Sequence, residues 1–335
     1  MLTSTTNVFC IGSGTTVICN LKDNKKGTYS FTTDDGILSS VQSYNADFKR
    51  LNLCGSMALI AKRISTAPPS VINQWNNILA DGHFNVTNHS MTHVNFTVLS
   101  KNQSGLDSLN DEINGAQSIL KSLFPGQDVI TMANPYLKTT LMADSLIRLN
   151  HFAARNGYRG YNSLNPTDAE WYRLTSQSTY DGITKSSNEL NAYLDYAIQH
   201  NKWLILLAHG IGNGLYQIPQ AEITAHFEYL ASKLDTVWCG TFNEVTKYIR
   251  ERQNATIVLK NKNSNRITIS LSHTLNPKVF SFPLTLKTQV PLEWNVVTVT
   301  QNGIYKNTTS CIENGIRYVY YDAIPNSGDI VLKKK

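Results

Sequence analysis

Hydrophobic and polar positions repeat along the chain with two different periods, and the change of period divides it. From Gly27 onward, short apolar or β-branched runs alternate with stretches of helical period. Thr28-Tyr29-Ser30-Phe31-Thr32 reads as a strand that ends in Asp34-Asp35-Gly36. A helix over 38–50 and a strand at Ser56-Met57-Ala58-Leu59-Ile60 follow, then helices over 70–80 and 107–123. Another helix begins at Ser186, where Ser186 and Glu189 have capping-box spacing and Leu190, Tyr193, Leu194, Ala197 and Ile198 make one apolar face. Trp203–Ala208 reads as a buried strand, 221–234 as a helix, 236–240 as a short strand and 243–252 as the last helix. Such alternation argues for an α/β barrel or a layered α/β fold.

After Asn254 the helical period disappears and a period of two takes over. Strands are expected at Arg266–Leu271, Lys278–Phe282, Val296–Thr300 and Arg317–Tyr321, with Asn302-Gly303 and Asn314-Gly315 as hairpin turns. Before Gly27, Val8–Ile11 and Thr15–Ile18 form an expected hairpin. The domain reading is therefore a strand-rich lead-in over 1–26, an α/β domain over 27–254 and a small antiparallel, sandwich-like β domain over 255–335.

Composition narrows the classes. Apolar residues are 41%, aromatics 10% and charged residues only 16%, which suits a packed core and excludes a disordered chain. The net charge of +6 is mild and scattered, with no basic patch or module of a nucleic-acid binder. No apolar run approaches the roughly 18 residues of a spanning helix, and no signal-peptide pattern opens the chain. None of the five cysteines forms a CxxC pair; Cys10 and Cys19 flank a turn and would bridge in an oxidising compartment, though unpaired thiols are the simpler reading.

Three polar clusters stand out: Asp34-Asp35-Gly36, His89-Ser90-Met91-Thr92-His93 and His209-Gly210. Histidines at i and i+4 lie on one face of a helical turn and can reach one ion. Adjacent carboxylates at a strand end point in opposite directions, so one can bind metal while the other faces water. Each cluster has a structural explanation alone; together they point to a metal-dependent hydrolase.

In these clusters the chain resembles the NodB-homology polysaccharide deacetylases, carbohydrate esterase family 4. The family's TFDDG motif corresponds to Thr32-Thr33-Asp34-Asp35-Gly36, its H(S/T)xxH motif to His89–His93, and its LxH motif to Leu207-Ala208-His209. The resemblance spans about residues 27–250 and implies an irregular parallel (β/α) barrel. It implies that Asp35, His89 and His93 hold a divalent metal, Zn²⁺ first, with Co²⁺ or Ni²⁺ as alternatives. Asp34 would be the base that activates the attacking water and His209 the acid that protonates the leaving group, with Asn134, Pro135 and Tyr136 at the oxyanion or substrate.

Two motifs depart from the family. RxPY appears as Ala133-Asn134-Pro135-Tyr136, without the arginine that pairs with the catalytic aspartate; Asn134, Arg155, Arg159 and Arg173 are the unranked substitutes. DxxDW has only a loose echo in Asp168-Ala169-Glu170-Trp171. Trp171 and Leu207, with Tyr158, Tyr161 and Tyr216, are further substrate-contact candidates.

The function expected is deacetylation of an acetylated oligo- or polysaccharide, an N-acetylhexosamine polymer first, with O-acetyl ester hydrolysis as a variant. Such substrates place the protein in the periplasm, at the cell surface or outside the cell. The motifs do not separate chitin-type, peptidoglycan and xylan substrates. A metal-dependent amidase of a small non-sugar molecule and a catalytically silent carbohydrate-binding protein are the rivals. The β domain is expected to be accessory or carbohydrate-binding.

Overall fold

The computed structural model describes residues 12–99 and 103–335. The chain divides into two compact units, Lys25–Ile249 and Met1–Asn24 with Arg250–Lys335. Strand β1 (Thr16–Ile18) belongs to the second unit. The first unit is built on β2 (Gly27–Thr33), β3 (Gly55–Leu59), β4 (Phe84–Asn88), β5 (Thr131–Ala133), β6 (Ala153–Tyr158), β7 (Leu174–Ser178) and β8 (Trp203–Ala208). These strands are parallel and pair in chain order, and β8 closes on β2 from Thr28↔Trp203 to Thr33↔Ala208. The result is an irregular parallel barrel, as the alternation and the resemblance imply. A two-stranded ribbon, β9 (Gly210–Ile211) with β10 (Gln217–Ile218), follows β8. Strand β11 (Val237–Cys239) pairs with the first half of β2.

Helices α1 (Leu38–Leu51), α2 (Ala61–Ser65), α3 (Pro69–Ala80), α4 (Gln103–Asn110), α5 (Ala116–Leu123), α6 (Leu141–Asn150), α7 (Ser187–Gln199), α8 (Gln220–Ser232) and α9 (Phe242–Asn254) follow or separate the strands. The capping box at Ser186 and Glu189 is formed, with Glu189 accepting from the Ser186 backbone N–H. The single helix expected over 107–123 is interrupted by a π-helical turn, Asp111–Gly115.

Strand β2 shows how its sequence suits both faces. Tyr29 and Phe31 point outward, where Phe31 meets Tyr44, Phe48 and Phe227 edge-on at 4.9–5.5 Å between ring centres. Thr28, Ser30 and Thr32 point the other way and satisfy themselves: Thr28 donates to the Trp238 carbonyl, Ser30 to Gly240 and Thr32 to Leu206. Burial of small hydroxyls inside the barrel is tolerated because each finds a backbone acceptor.

The second unit holds two antiparallel sheets, in the sandwich-like class expected. One is β1 with β14 (Leu284–Gln289), β18 (Ile316–Ala323) and β17 (Cys311–Glu313). The other is β12 (Thr256–Lys262), β13 (Arg266–Ser272), β19 (Ile330–Lys334), β15 (Val296–Gln301) and β16 (Ile304–Thr309). Asn302-Gly303 and Asn314-Gly315 turn their hairpins with positive φ at both residues, the backbone that two-residue hairpins favour. The strand expected at Lys278–Phe282 is not one. Asn276 gathers that segment into a turn, accepting from the backbone N–H groups of Lys278, Val279 and Phe280, and the strand begins at Leu284. β1 pairs with β14; Val8–Ile11 and Cys10 lie outside the described residues.

Candidate active site

The carboxyl ends of the barrel strands carry the polar clusters, as expected for parallel α/β architectures. β2 ends at Thr33 and delivers Asp34 and Asp35. Their side chains do not point in opposite directions. Asp35 leaves the strand with φ 69°, and the Arg63 guanidinium holds its carbonyl at 2.8 Å. Both carboxylates therefore face His89: its Nε2 lies 3.7 Å from Asp34 Oδ2 and 3.5 Å from Asp35 Oδ1.

The histidine pair also converges by a route different from the one its spacing suggests. Residues 89–93 form a loop after β4, not a helical turn, with positive φ at Ser90 (66°) and His93 (63°). Four hydrogen bonds through side chains hold that loop. Asn88 Oδ1 accepts from the Ser90 N–H, Ser90 Oγ accepts from the His93 N–H, and Glu112 accepts from both the N–H and the hydroxyl of Thr92. Glu112 sits in the π-helical turn. The two imidazoles end with ring centres 4.8 Å apart. Strained non-glycine residues gather here: Asp35, Ser90, His93, Tyr136, Leu137 and Tyr216 all have positive φ.

Asp35, His89 and His93 offer ligand atoms that all lie within 4.8 Å of one another. His89 Nδ1 sits 2.7 Å from the Ala133 carbonyl, so it carries the proton and leaves the Nε2 lone pair facing the carboxylates. That Nε2 is buried and has no hydrogen-bond partner. A lone pair and two carboxylates turned to one point fit a divalent cation, and an N₂O donor set suits Zn²⁺ and its neighbours.

Electrostatics around the carboxylates are opposed. Burial pushes Asp34 up, but Arg155, His89 and His209 hold its carboxyl below the ordinary value. Burial acts likewise on Asp35, where the adjacent His89, with His209 and His93, brings it down to about 2. His93 is lowered by burial and by the neighbouring His89.

Among the three arginines, one pairs with Asp34. Arg155, fully buried on β6, ion-pairs with Asp34. Arg159 instead pairs with Asp181, which lines the pocket, and Arg173 pairs with Asp144. Asn134 does not replace an ion pair: it lines the pocket, 1% exposed, with neither amide atom hydrogen-bonded.

His209, just past β8, joins Asp34, Asp35, His89 and His93 in one pocket of about 880 Å³. Its Nδ1 is buried without a hydrogen-bond partner, and its ring centre is 5.5 Å from that of Tyr216. Leu207 and Tyr136 line the same pocket; Pro135 is buried and opens the turn in which Tyr136 takes φ 57°. Tyr136 is 60% exposed, and its ring packs 4.7 Å from that of His93. Trp171 is elsewhere: it is buried against Trp203, and Asp168 pairs with Arg148. None of the Asp168–Trp171 residues lines the pocket. Tyr158 and Tyr216 do, while Tyr161 packs on Tyr196. Tyr180 and Asp181 also line it, unforeseen from the sequence; Asp181 ties down Tyr158 and Arg159. Only the proximity of Tyr180 and Asp181 to a strand end marks them in the sequence.

No protein-family model matches the chain. Over 330 residues it is 24% identical to a gellan lyase from a Bacillus species, an alignment covering 92% of this chain but 13% of that protein. A Mycobacterium smegmatis structure described as a polysaccharide deacetylase superposes with TM-score 0.54 at 11% identity, covering 71% of this chain and 94% of that one. The peptidoglycan deacetylase PdaC from Bacillus subtilis is also similar, at TM-score 0.47 and 14% identity, covering 70% of this chain and 95% of that chain. The barrel of this chain has the NodB-like carbohydrate esterase family 4 fold.

Proposed function

We propose that the chain is a divalent-metal-dependent hydrolase that removes acetyl groups from an acetylated carbohydrate, with an N-acetylhexosamine polymer as the first substrate class and Zn²⁺ as the first metal. The observation that carries this reading is the convergence of Asp35, His89 and His93 beside the Arg155-paired Asp34 and His209 in one pocket.

When bound, the cation supplies Lewis acidity toward an acyl oxygen and toward water. The protein's own groups divide the remaining work. Asp34, kept ionised by Arg155, takes a proton from the attacking water. His209 returns a proton to the departing nitrogen or oxygen. The Tyr136 backbone N–H and the Asn134 amide are the neutral donors for the oxygen that gains charge; the unpartnered state of Asn134 in a buried position supports this role. Pro135 has no N–H and acts by shaping the turn.

A sugar polymer is favoured over a small amide by the pocket itself. Tyr136, Tyr158 and Tyr216, each 43–60% exposed, offer aromatic faces to sugar C–H surfaces. The chain's similarity to a segment of a gellan lyase also suits a role in polysaccharide processing. Such polymers suit a protein of the periplasm, the cell surface or the outside of the cell. No helix among the described residues is long and apolar enough to cross a membrane.

The test is acetate release from a panel of acetylated glycans, O-acetyl xylan included, using metal-stripped protein before and after addition of Zn²⁺ or Co²⁺. Metal-dependent release is expected. Absence of release from every glycan, with one ion bound per chain, would overturn the reading in favour of a small-amide hydrolase or a silent binder.

A further inference from the structure

Two cysteines outside the pocket meet in a way their sequence separation hides. Cys54 precedes β3, and Cys239 ends β11. Both strands pair with the same edge of β2, because β8 already occupies the other edge from Thr28 to Thr33. β11 covers Gly27–Tyr29 and β3 covers Phe31–Thr33, so the end of one strand abuts the start of the other. Cys239 is level with Tyr29, and Cys54 precedes Gly55, which is level with Phe31. The two cysteines are therefore offset by about one residue along β2, or about 3.3 Å. Each Sγ lies 3.5 Å from the other's carbonyl oxygen. Both residues are half-buried. Glu244 Oε2, 3.9 Å from Cys54 Sγ, is an adjacent acceptor for its proton.

We infer that Cys54 and Cys239 form a redox-labile disulfide that staples β11 to β3 across the break in that edge of the barrel. Strand ends that abut on one edge, with each Sγ 3.5 Å from the other residue's carbonyl oxygen, set the two cysteines side by side, as a disulfide requires. With a small-molecule disulfide such as oxidised glutathione, one cysteine thiolate attacks a glutathione sulfur, breaks its S–S bond and releases one glutathione thiolate. The second thiolate attacks the mixed disulfide, forms the Cys54–Cys239 bond and releases the other glutathione. The two cysteine protons end on the two released glutathiones, and the two electrons reduce the oxidant. The hydrogen bond with Cys239 and burial hold the Cys54 thiol well above its ordinary value, so the exchange quickens with alkaline pH.

The experiment incubates the metal-loaded protein with oxidised glutathione at alkaline pH, then blocks residual thiols and maps the peptides by mass spectrometry. The expected result is a linked peptide pair containing Cys54 and Cys239, lighter by two hydrogens than the reduced pair. Oxidation should also raise Tm by at least about 5 °C, because the link closes a long loop, and dithiothreitol should reverse it. In C54S and C239S that rise should vanish. Alkylation of both thiols after equilibration, capture of each as a separate glutathione adduct, or linkage to Cys10, Cys19 or Cys311 instead would overturn the inference. The peptide map of the unaltered chain decides the matter even where a serine variant fails to fold.

Discussion

Arg155 stands directly opposite Ala133, its register partner on the neighbouring strand, and its guanidinium holds Asp34. The family's third motif keeps its arginine at the position that Ala133 occupies here. In this chain the positive charge lies one strand over, at the same level of the barrel, and reaches a carboxylate on β2. Buried Asp34 would otherwise be driven toward its neutral form, so an ion pair at this spot determines whether it can accept a proton.

Arg155→Ala should therefore lower kcat about 10²–10³-fold while metal content stays near one ion per chain. Adding Ala133→Arg to that variant should restore part of the loss, because the new arginine starts from the paired register position. Steady-state kinetics with metal analysis checks this. A double variant no better than the single one would mean that the Arg155 side chain serves packing alone.

Removing the metal should abolish turnover and lower stability together. Adding Zn²⁺ at a hundred times its Kd should stabilise the folded state by about 2.7 kcal/mol. His93→Ala should cut Zn²⁺ affinity at least about 100-fold, since it deletes one of three protein donors. Calorimetric titration and thermal melts with and without chelator measure both effects.

Glu112 supports His93 without touching it. Glu112→Ala strips Thr92 of the acceptor for its N–H and hydroxyl, which loosens the strained loop that turns His93 inward. Metal affinity should drop about 10- to 100-fold with little change in Tm for the metal-free protein. An unchanged affinity would assign Glu112 to the packing of the π-helical turn only.

His209→Asn should hurt substrates in proportion to how badly their leaving group needs a proton. Acetamido substrates should slow by about 10²–10⁴-fold, whereas acetyl esters of acidic phenols, which leave as anions, should slow far less. Equal losses on both classes, read from kcat, would argue that His209 shapes the pocket and does not transfer a proton.

Acid should destabilise the fold through two buried histidines that do not line the pocket, one of them, His151, hydrogen-bonded to Asn88. Burial lowers His151 and His226 to about 3, and His226 sits between the Asn191 side chain and the Tyr29 hydroxyl as a neutral ring. The unfolded chain protonates each near its ordinary value of 6.5 while the folded chain does not. Stability is thus fully present above about pH 6.5 and falls as pH drops toward 3, by up to about 1.4 kcal/mol per pH unit for each ring. Urea unfolding between pH 7.5 and 4.5 should show a shallower slope in His226→Phe, by one proton.

The sequence alone determined the broad architecture, because burial imposes periods that residues must obey. The strand–helix alternation marked the barrel, the period of two marked the β unit, and the two Asn-Gly turns folded as expected because each needs positive φ twice. It also marked Asp34, Asp35, His89, His93 and His209, since short motifs carry them. What it could not show was how they converge. Asp34 and Asp35 share a target because Asp35 leaves the strand at φ 69°, and the histidines meet through a strained loop instead of a helix. Local spacing assumes regular backbone, and these residues do not have it. Arg155 could not be ranked above Arg159 and Arg173 because pairing across strands depends on register, which only the closed barrel sets. The same holds for Cys54 and Cys239, which are 185 positions apart in the chain and become neighbours only because β11 and β3 share an edge of β2.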